Sequence, residues 1–476
     1  MIKLRDVLAI VFVVALGTAC GGTQEPVSQP AAASPAPAAA TADVTPPAAA
    51  PTPPTLRLGD IATPTAYAVH LTLDPEADTF SGEITISMTV ARATDHLWLS
   101  GVDLSVAGAT IESAGTKVAA TPIDGGHDFI GFTFPQAIGP GDATLKVTYT
   151  GKAIANEDSG LFRQQQDGHW YLYSQFEATD ARRAFPCFDE PSYKVPWTVT
   201  LTVPADDVAV TNTPPASQTS DAAAKTKTIV FAATKPLPSY LIALAVGPFD
   251  VVDAGTVGRE KVPFRVVVPT GHSGEVAYAK TNTPTFVSLL EDYFDMPYPY
   301  PKLDVIAIPH FFGAMENPGA ITFASSLMVR KPADVTTDFK QTYAYVATHE
   351  LAHQWFGDLV TLAWWNDTWL NESFADWLST KVLRAWKPEW NGEVSAVAAR
   401  NRAKNADSLV SARQIRQPIK SADDIANIFD AISYAKGRSV LDMFERYVGE
   451  DKFQAGVRAY MHAHAWKTAT ADNFLT

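Results

Sequence analysis

Apolar and polar positions alternate along much of the chain from about residue 56 to residue 251. Tyr67, Val69, Leu71 and Leu73 fall on every second position, as do Ile84, Ile86, Met88 and Val90. The pattern returns at Leu145, Val147 and Tyr149, and again at Val199, Leu201 and Val203. A period of two marks strands with one face buried. With Gly, Pro and Asp between the runs, it predicts a set of half-buried antiparallel strands, a β-sandwich-like domain. The character changes after about residue 252. Strands are expected at 264–268 and 303–308, and then Phe286, Leu289, Leu290 and Phe294 take the spacing of one helix face. Segments 343–356, 374–383 and 439–447 are also expected to be helical. The class predicted is α+β: an antiparallel β-sandwich-like domain over 56–251, then a mixed α/β domain over 252–476.

The first twenty residues follow another pattern. Lys3 and Arg5 precede an unbroken apolar run over 7–16, and Gly17-Thr18-Ala19 leads into Cys20. The run is too short for a stable bilayer span and suits the core of a signal peptide. Small residues directly before a cysteine resemble a bacterial lipobox, with Leu16 one position further upstream than usual. Residues 1–20 are therefore expected to be a lipoprotein-type signal peptide with Cys20 lipidated, plain secretory cleavage nearby being the alternative. Residues 21–55 are almost wholly Ala, Pro, Thr, Ser and Gln. Such a segment cannot bury enough surface to offset its ordering entropy, so a tether is expected. The localisation that follows is the bacterial cell envelope, lipid-anchored and facing the periplasm or the exterior.

Composition narrows the reading further. At 476 residues two or three domains are expected, and 46% apolar content supplies large cores. A net charge of −14 argues against nucleic acid as a partner. Cys187 is the second of two cysteines, so lipidation of Cys20 leaves no internal disulfide, and its setting in Phe185-Pro186-Cys187-Phe188 predicts a buried thiol. Residues 471–476 read as a helix start capped by Asp472 that stops after one turn, which is expected of a truncated sequence, a natural terminus being the alternative.

The chemistry concentrates in His349-Glu350-Leu351-Ala352-His353. Residues four apart on a helix are about 6 Å apart and about 40° round, so both imidazoles reach one ion. Glu350 projects toward the same region and can act on a water there. Glu372, in Trp369-Leu370-Asn371-Glu372-Ser373-Phe374, supplies a third ligand and completes a His₂Glu set for one zinc ion per chain. Asp376, one turn beyond Glu372, is placed either to hold a ligand histidine or at the surface; the spacing leaves both open.

Taken together these motifs resemble the aminopeptidase N family of zinc metallopeptidases, which also contains leukotriene hydrolase. Gly313-Ala314-Met315-Glu316-Asn317 matches the family's exopeptidase signature. His353 and Glu372 are separated by the family's eighteen residues, and Tyr434-Ala435-Lys436-Gly437 matches the segment of its catalytic tyrosine. Ser174-Gln175-Phe176-Glu177-Ala178 and the following Arg182–Pro191 run match as well. The resemblance implies a thermolysin-like catalytic domain and an aminopeptidase acting on peptides with a free N-terminus. Glu350 would be the general base and Tyr434 the oxyanion donor. Glu177 and Glu316 would bind the substrate ammonium, whose pKa of about 7.7–8.0 keeps it largely cationic at neutral pH. Gly313, Ala314, Met315 and Asn317 would line the substrate backbone, and Phe312 and Gln175 the first side-chain pocket. Ser373 and Ala435 depart from the family's usual glycine and glutamate, and the family's C-terminal helical domain is expected to be missing. The rival readings are a lipid-tethered peptide-binding protein without turnover and an epoxide hydrolase side activity.

Overall fold

A computed structural model describes residues 51–476 apart from 127 and 391. The signal peptide, Cys20 and the tether up to residue 50 lie outside the described residues. Among the described residues no helix is long and apolar enough to cross a membrane.

The alternating segments form the expected strands. Ala62–Thr72 and Thr79–Val90 pair as a hairpin at the centre of an eight-stranded sheet. Tyr67, Val69, Leu71, Ile84 and Ile86 point to one buried face. Thr94–Ser100 and Phe129–Ile138 belong to a three-stranded sheet, and their Leu97, Leu99 and Phe132 enter the same core. Two layers sharing one core give the sandwich-like arrangement. The expectation of antiparallel pairing needs one correction: Ala62–Thr72 runs parallel to Trp197–Pro204, and Ile154–Ala155 runs parallel to Gly160–Gln166. The first of these partners returns only after more than a hundred residues. Such a long excursion permits the parallel entry that a tight hairpin forbids. Cys187 is buried and free, and burial pushes its thiol well above the ordinary range, as a structural cysteine requires.

A third sheet carries function toward the second half. Its strand His169–Gln175 packs Tyr171 and Tyr173 against Phe249, Val267, Ile306 and Ile308 of the following domain. The Tyr173 hydroxyl donates to the Ala307 carbonyl at 3.2 Å. Glu177, two residues past this strand, is thereby placed against the second half's own sheet.

That sheet is mixed. Val262–Pro269, Leu303–Ile308 and Ala320–Ala324 are parallel, and the edges Phe249–Val257 and Ala314–Met315 are antiparallel. Phe249–Val257 straddles the position at 251/252 where the second domain was expected to begin. Helices Ala277–Phe294, Thr337–His353 and Thr368–Trp386 complete the layer. The terminal helix Ala471–Leu475 is capped by Thr470, whose side chain accepts from the Asn473 amide, and not by Asp472. Thr470 has the extended backbone of an N-cap, whereas Asp472 is already inside the first turn.

Two strands of this sheet share an ionic triad, Arg265 lying opposite Asp304. The buried Asp304 carboxylate accepts from Arg265 Nε at 2.8 Å and from Lys302 Nζ at 2.6 Å. Burial opposes ionisation of Asp304, but Lys302 and Arg265 outweigh it and hold the carboxyl below its usual range. Burial also pulls Lys302 down, so the net contribution of the pair is smaller than the carboxylate alone implies. Because the folded pKa is depressed, this contribution is present above the unfolded value near 3.8 and is lost as pH falls through the folded pKa. Asp304→Asn strands a buried ammonium and is expected to cost about 3–5 kcal/mol at pH 7. Denaturant titration checks it. The gap to the unsubstituted protein should narrow as pH falls below 3.8.

Candidate functional site

The helix Thr337–His353, which carries the two candidate ligand histidines, begins at an N-cap, the Thr336 hydroxyl accepting from the Phe339 amide at 3.1 Å. It contains no Gly or Pro, and its last turn brings His349 and His353 onto one buried face. The chain then breaks at Gly357, where φ is +133° and a Cβ would lie 3.0 Å from His353 Nδ1. That break returns the Phe356 carbonyl to accept from His353 Nδ1 at 3.1 Å. With Nδ1 donating, the Nε2 lone pair of His353 is free to bind a metal.

Glu372 sits on Thr368–Trp386, a helix buried almost all round its first three turns. A carboxylate in such a helix needs a partner. Its Oε2 lies 3.4 Å from His349 Nε2 and 3.6 Å from His353 Nε2, and the two Nε2 atoms are 3.1 Å apart. A tetrahedral ion with bonds of about 2.0–2.1 Å requires ligand atoms about 3.3 Å from one another. The three atoms match that triangle, and with both Nε2 atoms deprotonated the two imidazole lone pairs and the carboxylate face one point. The donor set fits zinc.

Asp376 is buried beside His349, resolving the two placements the sequence left open. It accepts a hydrogen bond from the Tyr345 hydroxyl, with Arg438 at 3.7 Å and His349 Nδ1 also at 3.7 Å. His349 Nδ1 is buried without a hydrogen bond of its own.

Four carboxylates crowd these imidazoles. Oxygens of Glu177, Glu316 and Glu372 lie within 4.8 Å of one another, and Glu316 Oε1 is 3.9 Å from His353 Nδ1. Burial, with Glu316 and Glu372, raises Glu177 well above the carboxylate range. Burial raises Glu350 to about 8, with His349 opposing it and Glu316 adding to it. Burial opposes ionisation of Glu372, but His353 and His349 hold it well below its ordinary value. An environment this rich in negative groups favours bound cations.

Tyr434 lies in a π-helical turn, Ile432–Lys436, its ring stacked 6.1 Å from that of His349. Burial keeps its hydroxyl protonated. The turn is anchored from two sides. Ser373 Oγ donates to the Ser433 carbonyl at 2.5 Å, and Arg413 Nη2 donates to Ser433 Oγ at 2.8 Å. Ser373, a departure from the family pattern, thus joins the Glu372 helix to the Tyr434 turn. Sequence reasoning missed this bond, and also Gln354, whose polar amide directly after His353 in a buried segment was the available signal.

Ala314–Met315 is an edge strand, and the Gly313 carbonyl accepts from the Ala324 amide at 2.7 Å. Gln175 is buried, with Nε2 3.3 Å from Met315 Sδ and Oε1 without a partner. Phe312 is 69% exposed, its ring tilted against that of Phe311 with centroids 4.5 Å apart. Asn317 is buried, and its carbonyl closes a turn by accepting from the Ala320 amide at 2.9 Å.

The description of the peptidase family M1 domain matches residues 278–476, and that of the peptidase M1 N-terminal domain matches residues 63–241. The chain belongs to peptidase family M1. Its similarity to M1 relatives runs through both domains. Aminopeptidase M1-D of Oryza sativa subsp. japonica is 35% identical over 417 residues, covering 87% of this chain and 47% of the relative. Aminopeptidase 2 of Candida albicans is 36% identical over 414 residues, covering 84% and 44%. Glutamyl aminopeptidase of Bitis rhinoceros is 32% identical over 421 residues, covering 86% and 44%. The chain spans about half the length of the curated relatives it matches.

Proposed function

We propose that this M1 protein is a zinc-dependent aminopeptidase. The observation that carries the reading is one cluster: three candidate ligand atoms 3.1–3.6 Å apart, with Glu177 and Glu316 against them. A zinc ion held by His349, His353 and Glu372 would act as a Lewis acid on the scissile carbonyl and lower the pKa of water.

The chain's own groups then divide the work. Glu350 takes a proton from the attacking water and returns it to the leaving amine. Its raised value belongs to a cluster of carboxylates, and a divalent cation among them favours the ionised form that a base needs. Tyr434 keeps its proton and donates to the oxyanion that develops on the carbonyl. Glu177 and Glu316 bind the substrate ammonium. The edge strand Ala314–Met315 pairs with the peptide backbone, so the bond presented is the first one after the amino end.

Chelator treatment is expected to abolish hydrolysis of an aminoacyl chromogenic amide, and about one equivalent of zinc to restore it. A zinc-loaded protein that binds such peptides without turnover supports the tethered binding protein instead.

A further inference from the structure

Gln354 follows the ligand His353 and is 0% exposed. Its amide uses every hydrogen-bonding position it has. Nε2 donates to the Glu316 carbonyl at 2.5 Å and to Asp358 Oδ2 at 3.1 Å. Oε1 accepts from the Tyr298 hydroxyl at 2.9 Å and from the Gly319 amide at 3.3 Å. Both nitrogen partners are acceptors and both oxygen partners are donors, so the orientation of the amide is fixed by its surroundings.

Two of the four partners lie on the turn that the Asn317 carbonyl and the Ala320 amide close, the Glu316 carbonyl just before it and the Gly319 amide within it. Other groups hold that turn from behind. Asn212 Nδ2 donates to the Pro318 carbonyl at 3.0 Å, and Lys302 Nζ to the Gly319 carbonyl at 2.7 Å. Gly319 has φ +70°, and a Cβ there would lie 2.5 Å from the Asn212 carbonyl oxygen. These rear contacts keep the turn in place as a whole. Gln354 alone among them approaches from the ligand helix. His353 takes its own support from the Phe356 carbonyl, independently of Gln354.

We propose that Gln354 is a positioning residue that sets the distance between the ammonium anchor, Glu316, and the metal ligands, and so the point at which a bound amino terminus stands. The proposal rests on the aminopeptidase reading. The side chain does not touch substrate; it acts through the backbone of Glu316. Its loss lets the anchor drift while the ligand triangle and the fold remain. A misplacement of about 1 Å at such a site costs up to roughly a hundredfold in binding or rate.

The test uses the full zinc-loaded chain with Gln354→Met and Gln354→Glu. The second keeps an acceptor for Tyr298 and Gly319 while removing at least one of the two donors, and it carries the test where the first does not fold. Zinc per chain, the thermal midpoint, KM and kcat are measured, together with the preference for a free-amine substrate over its N-acetyl twin. The expected result is full zinc content, KM raised roughly tenfold or more, kcat within about threefold, and a reduced preference for the free amine. Unchanged KM and preference in a folded, zinc-loaded variant overturn the proposal. Loss of zinc with a fall in kcat overturns it too, since Gln354 would then be supporting the ligands.

Failure of the underlying reading is separable. If the unsubstituted chain cleaves neither substrate, calorimetric binding of the free-amine peptide and its acetylated twin decides the role of Gln354. A free-amine preference that disappears in the variants supports it; a preference that persists, or that the unsubstituted chain lacks, overturns it.

Discussion

Glu350→Gln is expected to lower kcat about 10³-fold, within the 10²–10⁴ span of general acid–base catalysis. That corresponds to about 4 kcal/mol of transition-state stabilisation. Glutamine matches the side chain in size, so packing at this buried position is kept. Glu350 is not one of the three atoms in the ligand triangle, so zinc content should not change. KM should stay within about twofold, because a base acts on the transition state and not on substrate binding. Metal analysis and steady-state kinetics on one preparation check all three quantities. Retention of activity to within tenfold would remove Glu350 from its role.

Tyr434→Phe carries the second large effect, a fall in kcat of about 10²–10³ with KM unchanged. Phenylalanine keeps the ring that stacks on His349 and removes only the hydroxyl. The π-helical turn should survive, because its anchors are Ser373 and Arg413 on Ser433 and neither touches the lost oxygen. A donor aimed where charge develops contributes nothing to ground-state binding, hence the confinement to kcat. A variant with raised KM and undiminished kcat would make Tyr434 a binding residue.

The strands were legible because each buries one face, and the alternation at Tyr67, Val69 and Leu71 survives folding directly as exposed and buried positions. That His349, His353 and Glu372 come together was legible for a similar reason: all three are helical, and helix spacing converts sequence distance into space. Parallel pairing of Ala62–Thr72 with Trp197–Pro204 was not legible, since a strand's pattern records which face is buried and not which neighbour it meets. Tyr434 depended on resemblance alone. Its placement comes from a π-helical turn fastened by Ser373 and Arg413, contacts between segments far apart in the chain. Gln354 escaped notice for the same reason, its four partners lying on Tyr298, Glu316, Gly319 and Asp358. Asp376 was undecided because a helical carboxylate one turn from Glu372 can face either way; Tyr345 and Arg438 on neighbouring helices decide it.

The central claim is that this metal centre serves cleavage at a free amino end. The most direct measurement compares the zinc-loaded protein on one chromogenic aminoacyl amide and on the same amide with its amine acetylated. The account predicts turnover of the free-amine substrate and, with no cation for Glu177 and Glu316 to hold, at least about a hundredfold lower kcat/KM for the acetylated one. Equal cleavage of both would contradict it, leaving a zinc hydrolase whose acidic wall does not recognise the amino terminus.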